Sequence, residues 1–347
     1  MKRIYYFSAL ILMLFTVSCE NEMDYKLRSV SPTLTLNGFI YTDSLKNKLY
    51  LSMTGSERVQ EAGEATVTVV VNGEQKEVLA AVKEPDNILR SVEVTTRFRP
   101  GDRVRIEART EDGEHRLWVE EVIPHPVSIE RIDTARTTLS VRPYASTETH
   151  LRVKVRFHDR PNEKNYYRLV LEQRHVVSGK TVEGKEASSS FKSYNYYPWE
   201  DIALTDGRPA TSEELETELL ERVTNFYGVF HDRWFDNGEY DSWFGNNQYT
   251  LNVLIPVSDY IVFTSTDFTP EFWDEELAIR LLSITESEYY YLSTLNVIDS
   301  GILDEFLSDP VKMPSNVHGG NGFVGISSEN GVVMKLVENG EVISYND

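Results

Sequence analysis

The stretch LRVKVRFH, residues 151–158, decides the fold. Its odd-numbered residues are apolar and its even-numbered residues are basic. A period of two places one face of a β-strand on a core and the other face in water. Turn-forming residues follow at 159–162, and an apolar run returns over 166–177. The stretch therefore predicts an antiparallel hairpin that opens a β-domain over residues 127–347.

Short strands of the same kind precede this hairpin. They are predicted over residues 33–36, 48–53, 66–71, 88–97, 103–108 and 117–123. Turn residues separate them, as at Asn72-Gly73, where both residues tolerate positive φ. This spacing, without a helical pattern, predicts a small β-sandwich over residues 33–124. The following Pro124-His125-Pro126 cannot continue a strand ladder and forms the predicted boundary.

The second domain is predicted to be a larger β-sandwich with two helices and long aromatic loops. Further strands are expected over residues 249–254, 260–264 and 277–281. Thr211 and Glu214 have the spacing of a capping box before one helix. Thr285 and Glu288 have the same spacing before a second helix that reaches about Ile298.

Two irregular, polar segments interrupt this domain, over residues 178–209 and 231–247. Their aromatic candidates for partner or ligand contact are Tyr194, Tyr196, Tyr197, Trp199, Trp234 and Trp243. Aromatic rings offer a large contact area at little entropic cost, so they anchor protein interfaces and stack on sugars. The alternative is that these rings fold inward and cap the sandwich.

The second segment also carries candidate ligands for a cation, Asp232, Asp236 and Asp241. Clustered oxygens suit calcium, but the spacing does not fit an EF-hand, and a solvated acidic loop is the alternative. The sequence shows no nucleophile elbow, P-loop or paired zinc histidines. We therefore predict neither a catalytic residue nor a cofactor.

The amino terminus predicts where the protein resides. Lys2 and Arg3 precede an apolar run over residues 4–17, which has the form of a signal peptide over residues 1–18. Cys19, the only cysteine among 347 residues, follows directly. We predict that it accepts a lipid and that residues 19–32 form an anchor and tether. An ordinary signal peptide that leaves a free thiol is the alternative.

The acidic residues Glu20, Glu22 and Asp24 resemble an export signal for the cell surface, or they simply begin a solvated linker. We therefore expect a lipid-anchored protein of the outer membrane. A net charge of −20 opposes binding to a phosphate backbone, so no nucleic-acid partner is predicted.

The carboxy-terminal segment GNGFVG, residues 320–325, matches a dinucleotide-binding fingerprint as a string. That mechanism requires a strand before it and a helix after it, within a unit of about 30 residues. The residues that follow are too few and too turn-like for this unit. We predict instead that the glycines permit close strand packing.

Residues 289–325 combine a Tyr-rich helix, Asp309-Pro310 and this glycine segment. Together with residues 36–40, Pro100-Gly101 and 230–238, they resemble an uncharacterised Bacteroidota lipoprotein family, domain of unknown function 4249. The resemblance implies two β-sandwich modules, of which the first is immunoglobulin-like. It also implies an association with TonB-dependent outer-membrane receptors, but it transfers no site residue. We expect a non-catalytic binding accessory of such a receptor; a stalk or adhesion subunit, or a glycan or peptide hydrolase, are the alternatives.

Overall fold

The computed structural model describes residues 31–55, 58–141, 146–210, 224–237, 247–256, 268–300, 311–338 and 341–342. Within these ranges the protein is mostly β, which confirms the predicted class. The strands of the first part are β1 Thr33–Tyr41, β2 Asn47–Thr54, β3 Val59–Gln60, β4 Ala65–Val71, β5 Glu74–Ala80, β6 Val82–Lys83, β7 Arg90–Val94, β8 Arg103–Thr110 and β9 Arg116–Val122.

The remaining elements of the described ranges include one α-helix. They are β10 Ile129–Val141, β11 Ser146–His158, β12 Tyr166–Thr181, β13 Glu186–Ser193, β14 Val229–His231, β15 Gln248–Pro256, β16 Phe268–Ile284, α1 Glu286–Asp299, β17 Asn321–Glu338 and β18 Glu341–Val342. A 3₁₀ helix occupies Asp232–Asn237. Segments 257–267 and 211–223, in which we predicted a strand and most of a helix, lie outside the described residues.

The first core lies between two sheets. One is a four-stranded sheet of order β5-β4-β8-β9, and the other contributes β1, β2 and β7. In β4 the alternation is strict: Val67, Val69 and Val71 are buried, whereas the residues between them are only partly covered. The β4–β5 turn contains Asn72 and Gly73, both with positive φ, as predicted.

Strand β17 connects the two parts of the molecule. Its residues 321–327 pair in parallel with β1, and residues 328–337 pair antiparallel with β16. The result is one continuous sheet of order β13-β12-β16-β17-β1-β2-β7-β6. Val324 and Ile326 of this strand are buried in the first core.

The glycines of residues 320–325 allow this junction. A Cβ on Gly322, whose φ is +108°, would lie 2.1 Å from the carbonyl oxygen of Leu36. A Cβ on Gly325 would lie 2.4 Å from the ring of Phe39. Real side chains do not fit at such distances, so the segment serves backbone packing, as predicted.

The second core lies between the sheet β10-β11-β15 and the strands β12 and β16. Leu151, Val153, Val155 and Phe157 are all buried, which confirms the alternation that defines β11. The predicted hairpin is wrong, however, because β11 pairs with β10 and β15, and β12 pairs with β13, β14 and β16. Strands β11 and β12 each have an apolar face that must be buried. The two strands therefore lie in different sheets and pack face to face across the core, and they do not pair edge to edge.

Helix α1 begins where the spacing of Thr285 and Glu288 predicted a helix, and the Thr285 half of the predicted capping box is present. The Thr285 side chain accepts a hydrogen bond from the Glu288 backbone N–H at 3.2 Å. Leu292 anchors the helix in a small third cluster with Tyr166, Leu282 and Ile284. Tyr290 is 49% exposed, and its ring centroid lies 6.4 Å from that of Tyr166.

Candidate binding surface

Three aromatic residues of the first predicted loop pack onto the body of the protein. The Tyr196 hydroxyl donates to the Leu169 carbonyl at 3.2 Å, and burial raises the pKa of Tyr196. The Tyr197 and Trp199 rings stack with centroids 4.2 Å apart. Tyr197 also exchanges backbone hydrogen bonds of 2.7 and 2.9 Å with Leu254. These rings therefore cover the end of β15.

Two carboxylates fix this segment. Glu200 accepts from the Arg152 guanidinium at 2.8 and 3.0 Å, a bidentate geometry. Asp201 accepts from the backbone N–H groups of Ala203, Leu204 and Asn252 at 2.9, 2.9 and 2.7 Å. Burial raises the pKa of Asp201 to about 6, and these donors partly offset that rise. Both carboxylates accept hydrogen bonds from groups of the protein itself, so their role is to hold this segment in place.

Trp234 joins the two aromatic segments. Its indole N–H donates to Asp206 Oδ1 at 3.0 Å, and the Arg233 guanidinium lies 4.5 Å from its ring centroid. Arg233 also contacts Asp206 at 3.0 Å. Trp234 thus meets the first segment through Asp206 and not through the rings at 196–199. Trp243 lies outside the described residues.

The predicted cation ligands are only partly described. Asp232 Oδ2 accepts from the Asn165 backbone N–H at 2.6 Å, which ties the 3₁₀ helix to the turn after β11. The side chain of Asp236 and all of Asp241 lie outside the described residues. Across the part of the chain that is described, no three His, Cys, Asp or Glu side chains are arranged to hold a metal. The cation therefore stays a prediction.

Tyr194 differs from its neighbours because it faces solvent. It is 53% exposed and follows β13 directly. Its hydroxyl donates to Glu172 at 2.9 Å, and Glu172 also accepts from Arg174 and from Lys192, the latter at 3.0 Å. Burial alone would raise the pKa of Glu172, but these three hydrogen bonds outweigh it and lower the pKa to about 2. The exposed ring thus stands on a rigid, charged network.

The same sheet exposes more apolar surface. Phe272 and Trp273 of β16 are 52% and 47% exposed, and they pair with Ser178 and Val177 of β12. We missed the strand character of β13 because its sequence, EASSSFKS, has no apolar alternation. The signal was present in the turn residues at 182–185, which separate β12 from the eight residues of β13.

The fold and this surface define a mostly β protein with two cores, a shared sheet and an exposed strand edge. The chain belongs to the family of the domain of unknown function DUF4249, whose pattern matches residues 20–331. Curated proteins give no match.

Among solved structures, the chain is similar to an α-L-rhamnosidase from Dictyoglumus thermophilum, with 9% identity and a TM-score of 0.26. The match covers 74% of this chain and 27% of the enzyme. The chain therefore spans about a quarter of that protein's length, and at this TM-score the likeness supports no conclusion about function. In the described ranges, none of the helical segments has the length and apolar character needed to cross a bilayer.

Proposed function

We propose that this protein is a lipoprotein of the outer membrane, exposed at the cell surface and anchored through Cys19. In this proposal it serves as a non-catalytic binding accessory of a TonB-dependent transporter. The observation that carries the proposal is the lone cysteine directly behind a basic and apolar leader. The match to the DUF4249 family begins at residue 20, directly after Cys19.

The proposed architecture has two modules. Residues 33–124 would form an immunoglobulin-like β-sandwich, and residues 127–347 would form the larger β-sandwich. The two sheets that share the first core support the first part of this description. The tether 19–32 would hold both modules close to the membrane.

The binding surface is proposed around Tyr194. Most of the described candidate rings are fixed by contacts inside the protein, whereas Tyr194 offers an exposed ring on a rigid support. Rigid aromatic side chains make good interface anchors because they lose little entropy on binding. A partner would meet this ring together with the charged side chain of Arg174, which is 42% exposed.

The test is capture of the tagged protein from native membranes. We expect a β-barrel receptor to copurify with the parent chain and to be depleted with Tyr194→Ala. The matched control is Tyr290→Ala, which removes another half-exposed tyrosine, on helix α1. Recovery of the parent chain without any β-barrel partner would contradict the proposal.

A stalk or adhesion subunit is the second candidate, and the exposed strand β13 is the observation that favours it. This candidate predicts polymers or binding to a host surface instead of a copurified receptor. Among the described carboxyls with a raised pKa, Asp159 and Asp201 are unsuited to act as the catalytic groups of a hydrolase. Each is buried and hydrogen-bonded to a core tyrosine, Tyr167 or Tyr249.

A further inference from the structure

Strand β13, Glu186–Ser193, forms one end of the large sheet. It hydrogen-bonds to β12 on one side, and among the described residues no strand lies on the other side. Its eight residues contain no proline, and its pairing with β12 shows no bulge. Proteins usually protect such an edge with bulges, prolines or charges that face the edge, because an open edge pairs readily with another strand.

The hairpin geometry shows which backbone groups face the open side. The Thr181 N–H donates to the Lys185 carbonyl at 2.9 Å. Because hydrogen-bonded and non-bonded pairs alternate along an antiparallel ladder, every second pair from there is bonded to β12. These bonded pairs are Gly179–Ala187, Val177–Ser189, His175–Phe191 and Gln173–Ser193. The backbone N–H and C=O groups that point outward therefore belong to Glu186, Ser188, Ser190 and Lys192.

We propose that the outer edge of β13 pairs with β13 of a second copy of this chain. The pairing is antiparallel about a two-fold axis at Ser189. It sets Glu186 opposite Lys192 of the other copy and Ser188 opposite its Ser190. These four residues are the ones whose backbone N–H and C=O groups point outward. In this register they face each other across the two strands, so they can form the hydrogen bonds of a regular antiparallel ladder.

Charge complementarity selects this register. Ser188, Ser189 and Ser190 are small and exposed, and a polar, flat strand specifies its register weakly. The flanking charges then decide, because opposite charges directly across a ladder attract and like charges repel. Glu186 and Lys192 are 81% and 54% exposed at their side chains. Each already has a partner within its own chain, Lys180 at 3.9 Å and Glu172 at 3.0 Å, but at this exposure each can also reach the opposite charge of the second copy. Any shift by two residues loses both opposite-charge pairs.

The residues on the more apolar face of the strand are also compatible with a two-fold axis at Ser189. Ala187 and Phe191 lie on the other face and become opposite residues in a non-bonded pair, where side chains approach most closely. Phe191 stacks on His175 with centroids 4.4 Å apart, so its ring is already held in place. Pairing would thus extend the large sheet across two molecules and cover two partly exposed apolar side chains.

Sedimentation of the full mature chain in density-matched detergent tests the pairing. We expect a two-chain mass for the parent and a one-chain mass for Ser190→Pro at the same concentration. Proline is tolerated there because the lost N–H points outward, and proline within sheets is confined to such edges. Ser190→Thr is the matched control and should keep the two-chain mass. A parent that stays a single chain overturns the proposal.

Charge reversal tests the register. Glu186→Lys alone and Lys192→Glu alone should each lose the dimer, because like charges would then face each other. An equimolar mixture of the two variants should recover a two-chain mass, because opposite charges face each other again at both positions. A mixture that remains monomeric would overturn this register.

A cysteine on the axis gives a direct readout. Opposite residues of a non-bonded pair have Cα atoms about 4.5 Å apart, within the disulfide range of about 4.4–6.8 Å. Ser189→Cys should therefore form an interchain disulfide on mild oxidation, whereas Ser188→Cys should not. The parent chain, whose only cysteine is Cys19, gives the background. Equal crosslinking of the two variants would contradict the axis at Ser189.

Discussion

The two cores of this protein are filled differently. The first core is almost entirely aliphatic, with valine, leucine, isoleucine and alanine from two sheets. The second core contains five buried rings, Phe157, Tyr167, Phe230, Phe235 and Tyr249. It also holds two buried carboxyls, Asp159 and Asp201. The aliphatic core is stabilised by burial and close packing of its side chains. The aromatic core depends in addition on contacts between rings and on buried hydrogen bonds.

This difference predicts where substitution and pH will change the folding stability most. Aliphatic side chains have no preferred partners, so neighbouring residues can adjust to small changes. Buried carboxyls and hydroxyls have fixed partners, and a group left without its partner costs about 1–3 kcal/mol. We therefore expect the second part of the chain to respond more strongly to substitution and to pH.

The largest effect is expected at Phe157. Its ring meets those of Tyr167, Phe230, Phe235 and Tyr249 at centroid distances of 5.4–6.3 Å. Phe157→Ala should lower the free energy of unfolding by about 3–5 kcal/mol, because it removes a fully buried ring and leaves a cavity. Urea unfolding measures this loss.

A smaller change, in the aliphatic core, is Ile106→Val, which removes one methylene-sized group from a fully buried side chain. It should cost about 0.5–1.5 kcal/mol. A loss for Phe157→Ala no greater than that of Ile106→Val would show that the ring cluster is not the main support of the second core.

A second effect is expected at Glu288, where α1 contacts the junction of β1 and β17. Its carboxyl is fully buried, and neither oxygen has a side-chain hydrogen-bond partner within the described residues. Burial raises its pKa to about 7, and the charge of Arg168 opposes that rise. The unfolded chain ionises this group at lower pH, so folding stability falls as pH rises from about 4.5 to about 7.

Glu288→Gln removes this dependence. Relative to the parent, the variant should gain up to about 3 kcal/mol between pH 4 and pH 8, since each pKa unit corresponds to about 1.4 kcal/mol. The neighbouring Glu286→Gln serves as the control. Hydrogen bonds from Tyr166 and Lys164 lower the pKa of Glu286, so that variant should change in the opposite direction. A flat difference for Glu288→Gln across this range would contradict the buried, unpaired carboxyl.

The third effect concerns Tyr167, whose hydroxyl donates to Asp159. Burial raises the pKa of Asp159 to about 6, and this hydrogen bond limits the rise. Tyr167→Phe should cost about 1–3 kcal/mol above pH 6, where the carboxylate would lose a donor, and less at pH 5. Tyr249→Phe should cost less, because Asp201 keeps three backbone donors. Equal losses of stability for the two variants would show that the number of hydrogen-bond donors left to the carboxylate does not determine the cost.

The smallest stability effect is expected at the surface. Tyr194→Ala should cost only about 1 kcal/mol, because the ring is exposed and Glu172, which loses the Tyr194 hydroxyl, keeps its hydrogen bonds from Arg174 and Lys192. Tyr196→Ala should cost several times more, since it removes a ring that packs against the second core. Thermal unfolding of the two variants separates a contact residue from a packing residue. A comparable loss at both positions would count against Tyr194 as a free surface ring.

The strands of the aliphatic core were readable from the sequence because each shows its burial locally. Residues 66–71 alternate and end in Asn72-Gly73, and they form β4 with its turn. The capping spacing of Thr285 and Glu288 likewise predicted α1. In such elements, the residues that determine the secondary structure all lie within a short stretch of sequence.

The features that were missed depend on distant partners. The parallel pairing of β17 with β1 joins residues nearly 290 positions apart, and no local pattern marks it. The stretch of β11 was recognised, but whether it pairs with β12 or packs across from it depends on the rest of the core. The surface at Tyr194 was among six aromatic candidates, and only three-dimensional burial separates it from its neighbours.

The central claim is that the chain is held at a membrane by a lipid on Cys19. Intact mass spectrometry of the protein purified from its native membrane tests this claim most directly. We predict a mature chain that begins at Cys19 and carries the added mass of acyl chains, which Cys19→Ser abolishes together with membrane retention. An unmodified Cys19, or a chain that retains residues 1–18, would contradict the claim.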